Sequence, residues 1–410
     1  MSTAQPIIVQ KYGGSSVADA ARIRNVAERV ARRAREGNDL VVVVSAMGDA
    51  TDDLIALARQ ITPHPRAREL DMLLSTGEIA SSALLAMALH ELNQDAVSLT
   101  GLQTGIQTDA VHSKARILNI DPRRVLDELE RGRVVIIAGF QGVTAELDVT
   151  TLGRGGSDTT AVALAVALKA ERCERFTDVD GVYTTDPRVE PRARKLRDIG
   201  YEEMLELASQ GAQIMHPRAV ELGQLYDLPI LVASSFSDEP GTLIHGAASM
   251  EPTNKVRGIA HDLDVAKITV RGVPDRPGIA AAIFGPLADA HISVDTIVQN
   301  ASMENLTDLT FTVDKGDLRR ALQLTQPVAG EIGAGGLVSD TRLGKISIVG
   351  TGMQNTPGYA ALMFRTLYEA GINIQLITTS EIRITCILGE DDVTTAVRAL
   401  HRAFELESAE

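Results

Sequence analysis

The sequence predicts an α/β sandwich built on a mainly parallel sheet, followed by two copies of a small α+β unit. Short apolar runs alternate with helical patterns up to about Gly246, as in sheets covered by helices on both faces. A turn-rich stretch over residues 241–254 then indicates a linker. Beyond it lies an internal repeat, in which Pro277-Gly278 and the helix after it recur as Pro357-Gly358 and a second helix.

Composition excludes several classes of protein. The chain has 410 residues with 44% hydrophobic content, which is enough for two or three domains. Its net charge is −14, it has no Trp and only 3% aromatic residues, so a nucleic-acid partner is not expected. The apolar run 40–44 is too short to cross a membrane and no leader pattern precedes it, which predicts a cytoplasmic protein. Cys173 and Cys386 lack the spacing of a zinc site or a disulfide framework and are expected to be buried.

Nearly continuous apolar runs predict the strands of the parallel sheet. They are 7–11, 40–45, 96–99, 134–140, 173–178 and 230–233. Residues 17–30 carry apolar side chains at helical spacing and Gly37 ends that helix, while Asp121-Pro122 opens another. In such sheets ligands bind at the carboxyl ends of the strands.

Two glycine-rich segments lie at strand ends and predict phosphate-binding loops. Gly13-Gly14 follows the first strand, and residues 153–156 precede a helix. Glycines let backbone N–H groups approach an anion, and the positive end of a helix favours it. Lys11 precedes its glycines, with Tyr12 between them, which differs from both the P-loop and the dinucleotide-binding pattern. The alternative is that Asp158 is only a helix N-cap and Lys11 only a solvated residue.

Each copy of the repeat predicts a strand, a Pro-Gly turn, an amphipathic helix and two more strands. The first strands begin at Lys267 and Lys345, and the last strands are 309–313 and 383–388. One copy alone would bury a thin core, so pairing between copies or between chains is expected.

Five segments together resemble a known family. They are Lys11-Tyr-Gly-Gly-Ser-Ser, Val44-Ser-Ala-Met-Gly, Ser75-Thr-Gly-Glu, Thr151-Leu-Gly-Arg-Gly-Gly-Ser-Asp-Thr-Thr and Thr177-Asp-Val-Asp-Gly-Val-Tyr-Thr-Thr-Asp-Pro-Arg. This set is similar to the motifs of the aspartate kinases in the amino acid kinase family, and the repeat resembles their two ACT domains. The resemblance implies an amino-acid-kinase three-layer sandwich over residues 1–246, a linker and first regulatory strand over 247–263, and ferredoxin-like ACT domains over 264–338 and 339–410.

The implied activity is transfer of phosphate from MgATP to the side-chain carboxylate of L-aspartate. This gives 4-phospho-L-aspartate, the entry step toward lysine, threonine and methionine, under feedback inhibition through the ACT domains. Lys11 and Asp158 are the implied catalytic residues. The implied ATP-binding residues are Lys11, Tyr12, Gly13, Gly14, Ser45, Thr177, Asp178, Tyr183, Asp186, Arg188 and Gln213. Tyr183 is expected against the base or the ribose, and the Mg²⁺ ligands stay unassigned.

The implied aspartate-binding residues are Thr51, Glu78, Arg154, Gly155, Gly156 and Ser157. Arg154 suits the α-carboxylate and Glu78 the α-ammonium. For Glu78 the alternative is a capping box, because Ser75-x-x-Glu78 is the pattern that opens a helix.

Residues near the turns and second strands of the repeats are expected to bind amino-acid effectors such as lysine and threonine. They are Asp275, Gly278, Ala280, Ser293, Asp295, Gln299, Asn373, Ile374, Ser380 and Glu381. Asp295 is our choice for holding the cationic part of an effector.

Two positions leave questions open. Gln213 stands where many relatives have a lysine that reaches ATP, so one charge is missing there. Met250 could be an internal start for a separate regulatory subunit, so the chain is expected to form either a homo-oligomer or an α2β2 assembly. The alternatives for function are other amino acid kinases, namely glutamate 5-kinase, acetylglutamate kinase or uridylate kinase, and a catalytically silent amino-acid sensor.

Overall fold

The structure is a computed structural model that describes residues 5–212, 214–246, 255–300, 306–353 and 356–408. The chain forms two compact units. The first contains the described residues of 5–183, 195–208 and 214–246, and the second contains 184–194, 209–212 and the described residues from 255 onward. Two short segments of the expected kinase region 1–246 are therefore built into the second unit.

The chain up to residue 246 is a mixture of strands and helices. The strands are β1 Ile7–Tyr12, β2 Asp39–Val44, β3 Ala96–Leu99, β4 Ile106–Thr108, β5 Ile117–Ile120, β6 Val134–Ala138, β7 Gln141–Val143, β8 Val149–Thr151, β9 Arg172–Thr177, β10 Asp198–Gly200, β11 Ile230–Ser234 and β12 Thr242–His245. The helices are α1 Ala20–Arg35, α2 Ala50–Ile61, α3 Ala67–Glu91, α4 Gly101–Thr104, α5 Arg123–Glu130, α6 Gly156–Ala167, α7 Tyr201–Ser209 and α8 Pro217–Leu225.

The main sheet of the first unit has eight strands in the order β10-β12-β11-β9-β1-β2-β6-β3. Neighbouring strands are parallel except for β11 and β12. The predicted mainly parallel α/β fold is thus confirmed. A second sheet, β5-β4-β7-β8, was not predicted, because its strands are only three or four residues long and carry no clear periodicity.

Helices cover the two faces of the main sheet. On one face, α1 and α3 pack on alternate residues of β1 and β2, and the core there includes Ile8, Tyr12, Leu40 and Leu85. Because side chains alternate along a strand, Lys11 lies on the opposite face, where α6 packs against β1, β2 and β9. Lys11 therefore faces α6, whereas Tyr12 faces the core formed with α1 and α3.

Helix α3 excludes the alternative that Ser75 and Glu78 form a capping box. Ser75 and Glu78 lie in the middle of this 25-residue helix, so the pattern between them does not open a helix. By length and composition α3 could cross a membrane, but half of its most apolar window is buried inside the unit. Its buried Asp71 accepts hydrogen bonds from Thr151 and from the backbone of Ser113, as a core helix of a folded unit does.

The second unit is built on one antiparallel sheet of six strands in the order β14-β15-β13-β16-β18-β17. Its strands are β13 Gly258–Pro274, β14 Ile297–Gln299, β15 Leu306–Val313, β16 Gly336–Val349, β17 Leu376–Thr379 and β18 Arg383–Gly389, and its helices are α9 Ile279–Asp289, α10 Leu318–Glu331, α11 Tyr359–Glu369 and α12 Val393–Ala403. The two copies of the repeat pair with each other through β13 and β16. Each copy also ends in a helix, α10 or α12, which the sequence pattern did not predict.

Two hydrophobic cores lie in this unit. Residues 266–273 of β13 pack in the first core, whereas Val256 and Ile259 pack in the second core with α11 and α12. The expected boundary between residues 338 and 339 falls inside β16, whose early residues pair with the later part of β13. The two copies therefore share long strands instead of being joined by a linker.

Candidate active site

A cavity of about 550 Å³ lies at the carboxyl ends of β1, β2, β6 and β9 in the first unit. Many of the predicted site residues line it. The predicted residues in its wall are Lys11, Gly14, Ser45, Thr51, Glu78, Arg154, Gly155, Gly156, Ser157 and Asp158. The position agrees with the rule that ligands of parallel sheets bind at the carboxyl ends of the strands.

Lys11 and Asp158 form a buried ion pair at the cavity wall. The Lys11 Nζ lies 2.6 Å from Asp158 Oδ1, and the two side chains are 8% and 6% exposed. Asp158 lies in the first turn of α6 and the N-cap is Gly155, so the alternative of an N-cap role for Asp158 is wrong. The Asp158 carboxylate instead contacts the ammonium of Lys11, which the alternation of side chains along β1 directs toward α6.

Burial and charge act in opposite directions on this pair. Burial lowers the pKa of the Lys11 ammonium, and the charge of Asp158 opposes that effect. Burial alone would raise the pKa of Asp158, but Arg175 and Lys11 outweigh it and lower that pKa to about 2. The site therefore holds a stable carboxylate between two cations.

Glycine is required at both predicted loops by close packing. A Cβ on Gly14 would lie 2.9 Å from the carbonyl oxygen of Ala46. Gly155 has φ +70°, and a Cβ there would lie 2.3 Å from the His216 ring. The second loop thus turns tightly into the N-terminus of α6, whose first residues line the cavity, and the positive end of a helix favours an anion.

Arg154 is the exposed residue of this second loop. Among the described residues, its guanidinium has no hydrogen-bond or ion-pair partner, and it lines the cavity. The base of the loop is held by Arg218, whose Nη1 donates to the carbonyl oxygen of Leu152 at 2.9 Å and whose Nη2 donates to that of Ala115 at 3.1 Å. The Arg154 guanidinium is therefore available to a ligand, and the backbone before it is held in place by Arg218.

Glu78 reaches the cavity from the middle of α3. Its Oε1 accepts a hydrogen bond from the backbone N of Ala46 at 3.1 Å, while its buried Oε2 has no partner among the described residues. Gly77 allows this approach, because a Cβ there would lie 2.8 Å from the Ala46 Cβ. Burial raises the pKa of Glu78 to about 7, against the effects of the Ala46 hydrogen bond and of Lys11. An added ammonium would satisfy the free oxygen.

Several predicted nucleotide-binding residues do not line this cavity. Tyr12 is wholly buried, its ring stacks on Phe176, and its hydroxyl donates to Gln10, so its side chain belongs to the core. A contact of the Tyr12 backbone with a nucleotide stays a prediction. Gly13 donates its N–H to the carbonyl oxygen of Phe176. Gln213 lies outside the described residues, as does Met250.

The segment expected to form the nucleotide wall is internally paired. Thr177 donates to Asp178 at 3.0 Å, and the Tyr183 hydroxyl donates to Asp180 at 2.7 Å. Asp186 and Arg188 belong to the second unit and form a two-point ion pair with each other. Their contact with a nucleotide stays a prediction.

Among the cavity-wall residues that sequence reasoning missed, two have ionisable side chains, Arg175 and His216. Arg175 lies in β9, and its Nε donates to Asp158 Oδ2 at 3.1 Å. The sequence did contain an indication of its role. Arg175 lies inside the predicted interior strand 173–178, where a buried charge needs a partner. His216 packs over Gly155, and burial lowers its pKa, which favours a neutral ring.

Among the described residues, no group of three or more His, Cys, Asp or Glu side chains is arranged to hold a metal ion. Both cysteines are buried and free, as expected. A Mg²⁺ ion at the cavity would take its ligands mainly from phosphate oxygens and water.

The predicted effector residues lie in the second unit, and all of them except Ile374 are exposed. Asp295 Oδ2 accepts a hydrogen bond from Lys345 Nζ at 2.8 Å, and this lysine side chain is only 5% exposed. The corresponding contact of the other copy joins Lys267 Nζ to Gln375 Oε1 at 2.7 Å. Asp295 therefore already has a cationic partner, with which the ammonium of an effector would compete.

Comparison with known proteins agrees with this geometry. The model of the amino acid kinase family matches residues 6–234, and ACT domain models match residues 268–329 and 346–404. An aspartate kinase of Stutzerimonas stutzeri is 52% identical over 404 residues, which cover 98% of each chain. Aspartokinase III of E. coli in complex with aspartate and ADP, in its R-state, has a TM-score of 0.82 at 27% identity over 97% of this chain and 99% of that one. In its complex with lysine and aspartate, the T-state, the TM-score is 0.74 at 27% identity with the same coverage.

The chain therefore belongs to the amino acid kinase family, with two ACT domains after the kinase region. Within that family it is an enzyme of the aspartate kinase kind, since its relatives at about half identity over nearly full length are aspartate kinases.

Proposed function

We propose that the chain phosphorylates the side-chain carboxylate of L-aspartate with ATP and releases 4-phospho-L-aspartate and ADP. The observation that supports this most is the cavity in which Lys11, Asp158, Glu78 and Arg154 meet beside the N-terminus of α6. The site offers cations and N–H groups for a phosphoryl group, and a separate carboxylate and guanidinium for an amino acid.

In this mechanism each end of aspartate has its own partner. The unpaired Oε2 of Glu78 accepts the α-ammonium, and the free guanidinium of Arg154 binds the α-carboxylate. The side-chain carboxylate then faces the phosphate loops. It is ionised at neutral pH, so it attacks the γ-phosphorus without a general base.

Lys11 acts on the group that is transferred. Its ammonium binds a phosphate oxygen and stabilises the negative charge that develops in the transition state, while Asp158 holds the ammonium in place. Bound Mg²⁺ would neutralise phosphate charge, and the phosphate oxygens would carry it into the site.

The pathway and its regulation are part of the proposal. The acyl phosphate is expected to be the first intermediate toward lysine, threonine and methionine, in the cytoplasm. Lysine and threonine are expected to inhibit through the ACT domains. For lysine this is supported by E. coli aspartokinase III, which shares this fold and has been crystallised in complex with lysine and aspartate. The kinase region over 1–246, its ATP-binding residues and a homo-oligomeric or α2β2 assembly remain parts of this proposal.

The experiment is a coupled assay of ADP release with L-aspartate, in parallel with trapping of the acyl phosphate by hydroxylamine. We expect both signals with L-aspartate, and neither with L-glutamate, N-acetylglutamate or UMP. ADP release with one of those three and none with L-aspartate would replace the proposed substrate. No ADP release with any of them would favour an amino-acid sensor instead of an enzyme.

A further inference from the structure

Arg175 lies directly beside Lys11 on the inner sheet. In the parallel pairing of β1 with β9, Lys11 is in register with Arg175, and neighbouring strands lie about 5 Å apart. Both side chains point to the α6 face, whereas Tyr12 and Phe176, the next pair in register, stack on the other face. Two desolvated cations side by side are unfavourable unless an anion joins them.

Asp158 is the anion that joins them. One of its oxygens lies 2.6 Å from Lys11 Nζ, and the other accepts from Arg175 Nε at 3.1 Å. The three side chains are at most 12% exposed. Two positive groups and one negative group leave one net positive charge, whereas Lys11 and Asp158 alone would be neutral.

The remaining carboxylate of the cavity does not cancel this charge. Glu78 is already bound to the backbone N of Ala46, and its raised pKa of about 7 leaves it only partly ionised at neutral pH. In addition, the buried Nη1 of Arg175 has no hydrogen-bond partner among the described residues, although Arg175 lines the cavity. A buried donor without a partner and an excess positive charge both indicate that an anion completes this site.

We propose that Arg175 is the second cation of the phosphate site, which shares Asp158 with Lys11 and so leaves positive charge for the terminal phosphates of the nucleotide. This deepens the proposed function and rests on it. Arg175 has two roles. Its own charge attracts the phosphates, and its hydrogen bond to Asp158 means that this carboxylate is shared and does not neutralise Lys11 alone. No bond is made or broken at Arg175.

The test compares Arg175→Gln, which keeps a donor for Asp158 but removes the charge, with Arg175→Lys, which keeps the charge. The matched control is Lys169→Met, which removes one exposed positive charge just beyond the C-terminus of α6. Binding of the non-hydrolysable ATP analogue AMP-PNP with Mg²⁺, and of AMP, is measured by calorimetry without aspartate at low and high salt. The kinetic constants with L-aspartate are measured beside it.

We expect Arg175→Gln to weaken AMP-PNP binding at least tenfold and AMP binding less than threefold, because AMP lacks the terminal phosphates. The salt dependence of AMP-PNP binding should fall, kcat should drop at least tenfold, and the KM for aspartate should change little. Arg175→Lys should recover most of the affinity, and Lys169→Met should behave as wild type.

Equal losses for AMP-PNP and AMP in Arg175→Gln, or none, would overturn the inference, because a structural role would not distinguish the two ligands. If Arg175→Gln does not fold, Arg175→Lys decides alone: it should bind AMP-PNP with less than a threefold loss, and a loss above tenfold in a folded variant would contradict a role based on charge. A wild type that binds AMP-PNP but releases no ADP with L-aspartate would remove the proposed function and leave the binding comparison valid.

Discussion

The carboxylate of Glu78 accepts a hydrogen bond from the backbone N of Ala46 with one oxygen and leaves the other oxygen buried without a partner among the described residues. Ala46 follows β2, and Glu78 lies in the middle of α3. One half of the carboxylate thus fixes the loop after β2, and the other half is available to a ligand. Burial raises the pKa of this group to about 7, which makes its charge sensitive to pH near neutrality.

We predict that aspartate binding strengthens as pH rises through about 7, since only ionised Glu78 attracts the α-ammonium. Glu78→Gln should raise the KM for aspartate by about 10- to 100-fold, from the loss of a charged hydrogen bond of roughly 1.5–3 kcal/mol. Glu78→Gln should also remove the rise of kcat/KM for aspartate near pH 7 from the pH profile. Glu91→Gln, an exposed change at the end of the same helix, is the control. An unchanged pH profile in Glu78→Gln would contradict the assignment.

The same residue predicts a stability effect. Its folded-state pKa of about 7 lies above the ordinary value of 4.5, so the protonated form stabilises the fold fully below pH 4.5. That stabilisation is lost as pH rises through about 7, and the loss is of the order of 3 kcal/mol at about 1.4 kcal/mol per pH unit. Glu78→Gln should therefore be more stable than wild type at pH 8 and no more stable at pH 4.5. Denaturant unfolding at both pH values measures the difference in unfolding free energy between Glu78→Gln and wild type. The same difference at pH 8 and at pH 4.5 would contradict this prediction.

For Lys11 we predict a loss of rate more than of binding. Lys11→Met should lower kcat about a hundredfold, equivalent to about 3 kcal/mol of transition-state stabilisation, and should change the KM for aspartate little. The fold should survive, because Asp158 keeps Arg175 as a partner. Steady-state kinetics and the melting temperature are measured for Lys11→Met, with Lys169→Met as the control. Near-normal kcat in a folded variant would remove Lys11 from the mechanism.

Arg154 should act on aspartate alone. Its exposed guanidinium has no partner in the described part of the chain, so Arg154→Ala should leave the melting temperature within about 1 °C of wild type. The KM for aspartate should rise at least tenfold and that for ATP less than threefold. Arg154→Lys should recover only part of the affinity, because lysine cannot bind a carboxylate with two parallel hydrogen bonds. Equal changes in both KM values would show a loop defect instead.

The ion pair of Asp295 with Lys345 makes the effector prediction more specific. Asp295→Ala and Ser380→Phe should keep near-normal kcat without effectors and tolerate far more lysine plus threonine. Lys345→Met separates two explanations. If Asp295 binds the cation of an effector, removing its competitor should sharpen inhibition; if Asp295 acts only through the ion pair, Lys345→Met should be desensitised like Asp295→Ala. Titration of each amino acid, singly and together, gives the curves, and identical curves for all variants would exclude Asp295 from the effector site.

Much of the fold could be predicted because its signals are local. The apolar runs of the main sheet, the glycine loops and the repeat are each visible within a few residues, and the structure has strands at every predicted run. Predicted limits differ by one or two residues at most ends, as for the run 134–140 against Val134–Ala138. The small sheet β5-β4-β7-β8 and the terminal helices of the repeats were missed, because short strands and weakly patterned helices depend on tertiary contacts.

The sequence by itself determined the chemistry that is present: a lysine before glycines, a loop with an arginine, a carboxylate three residues after Ser75, and two matching regulatory copies. Only the tertiary structure decided which of these groups meet. Strand alternation put Lys11 in the cavity and Tyr12 in the core, and the register of β1 with β9 put Arg175 beside Lys11. Ser75, which resembled a helix start in the sequence, lies in the middle of α3, and this long helix places Glu78 next to Ala46. Register, face and packing arise from contacts between residues far apart in the chain, and no local pattern contains them.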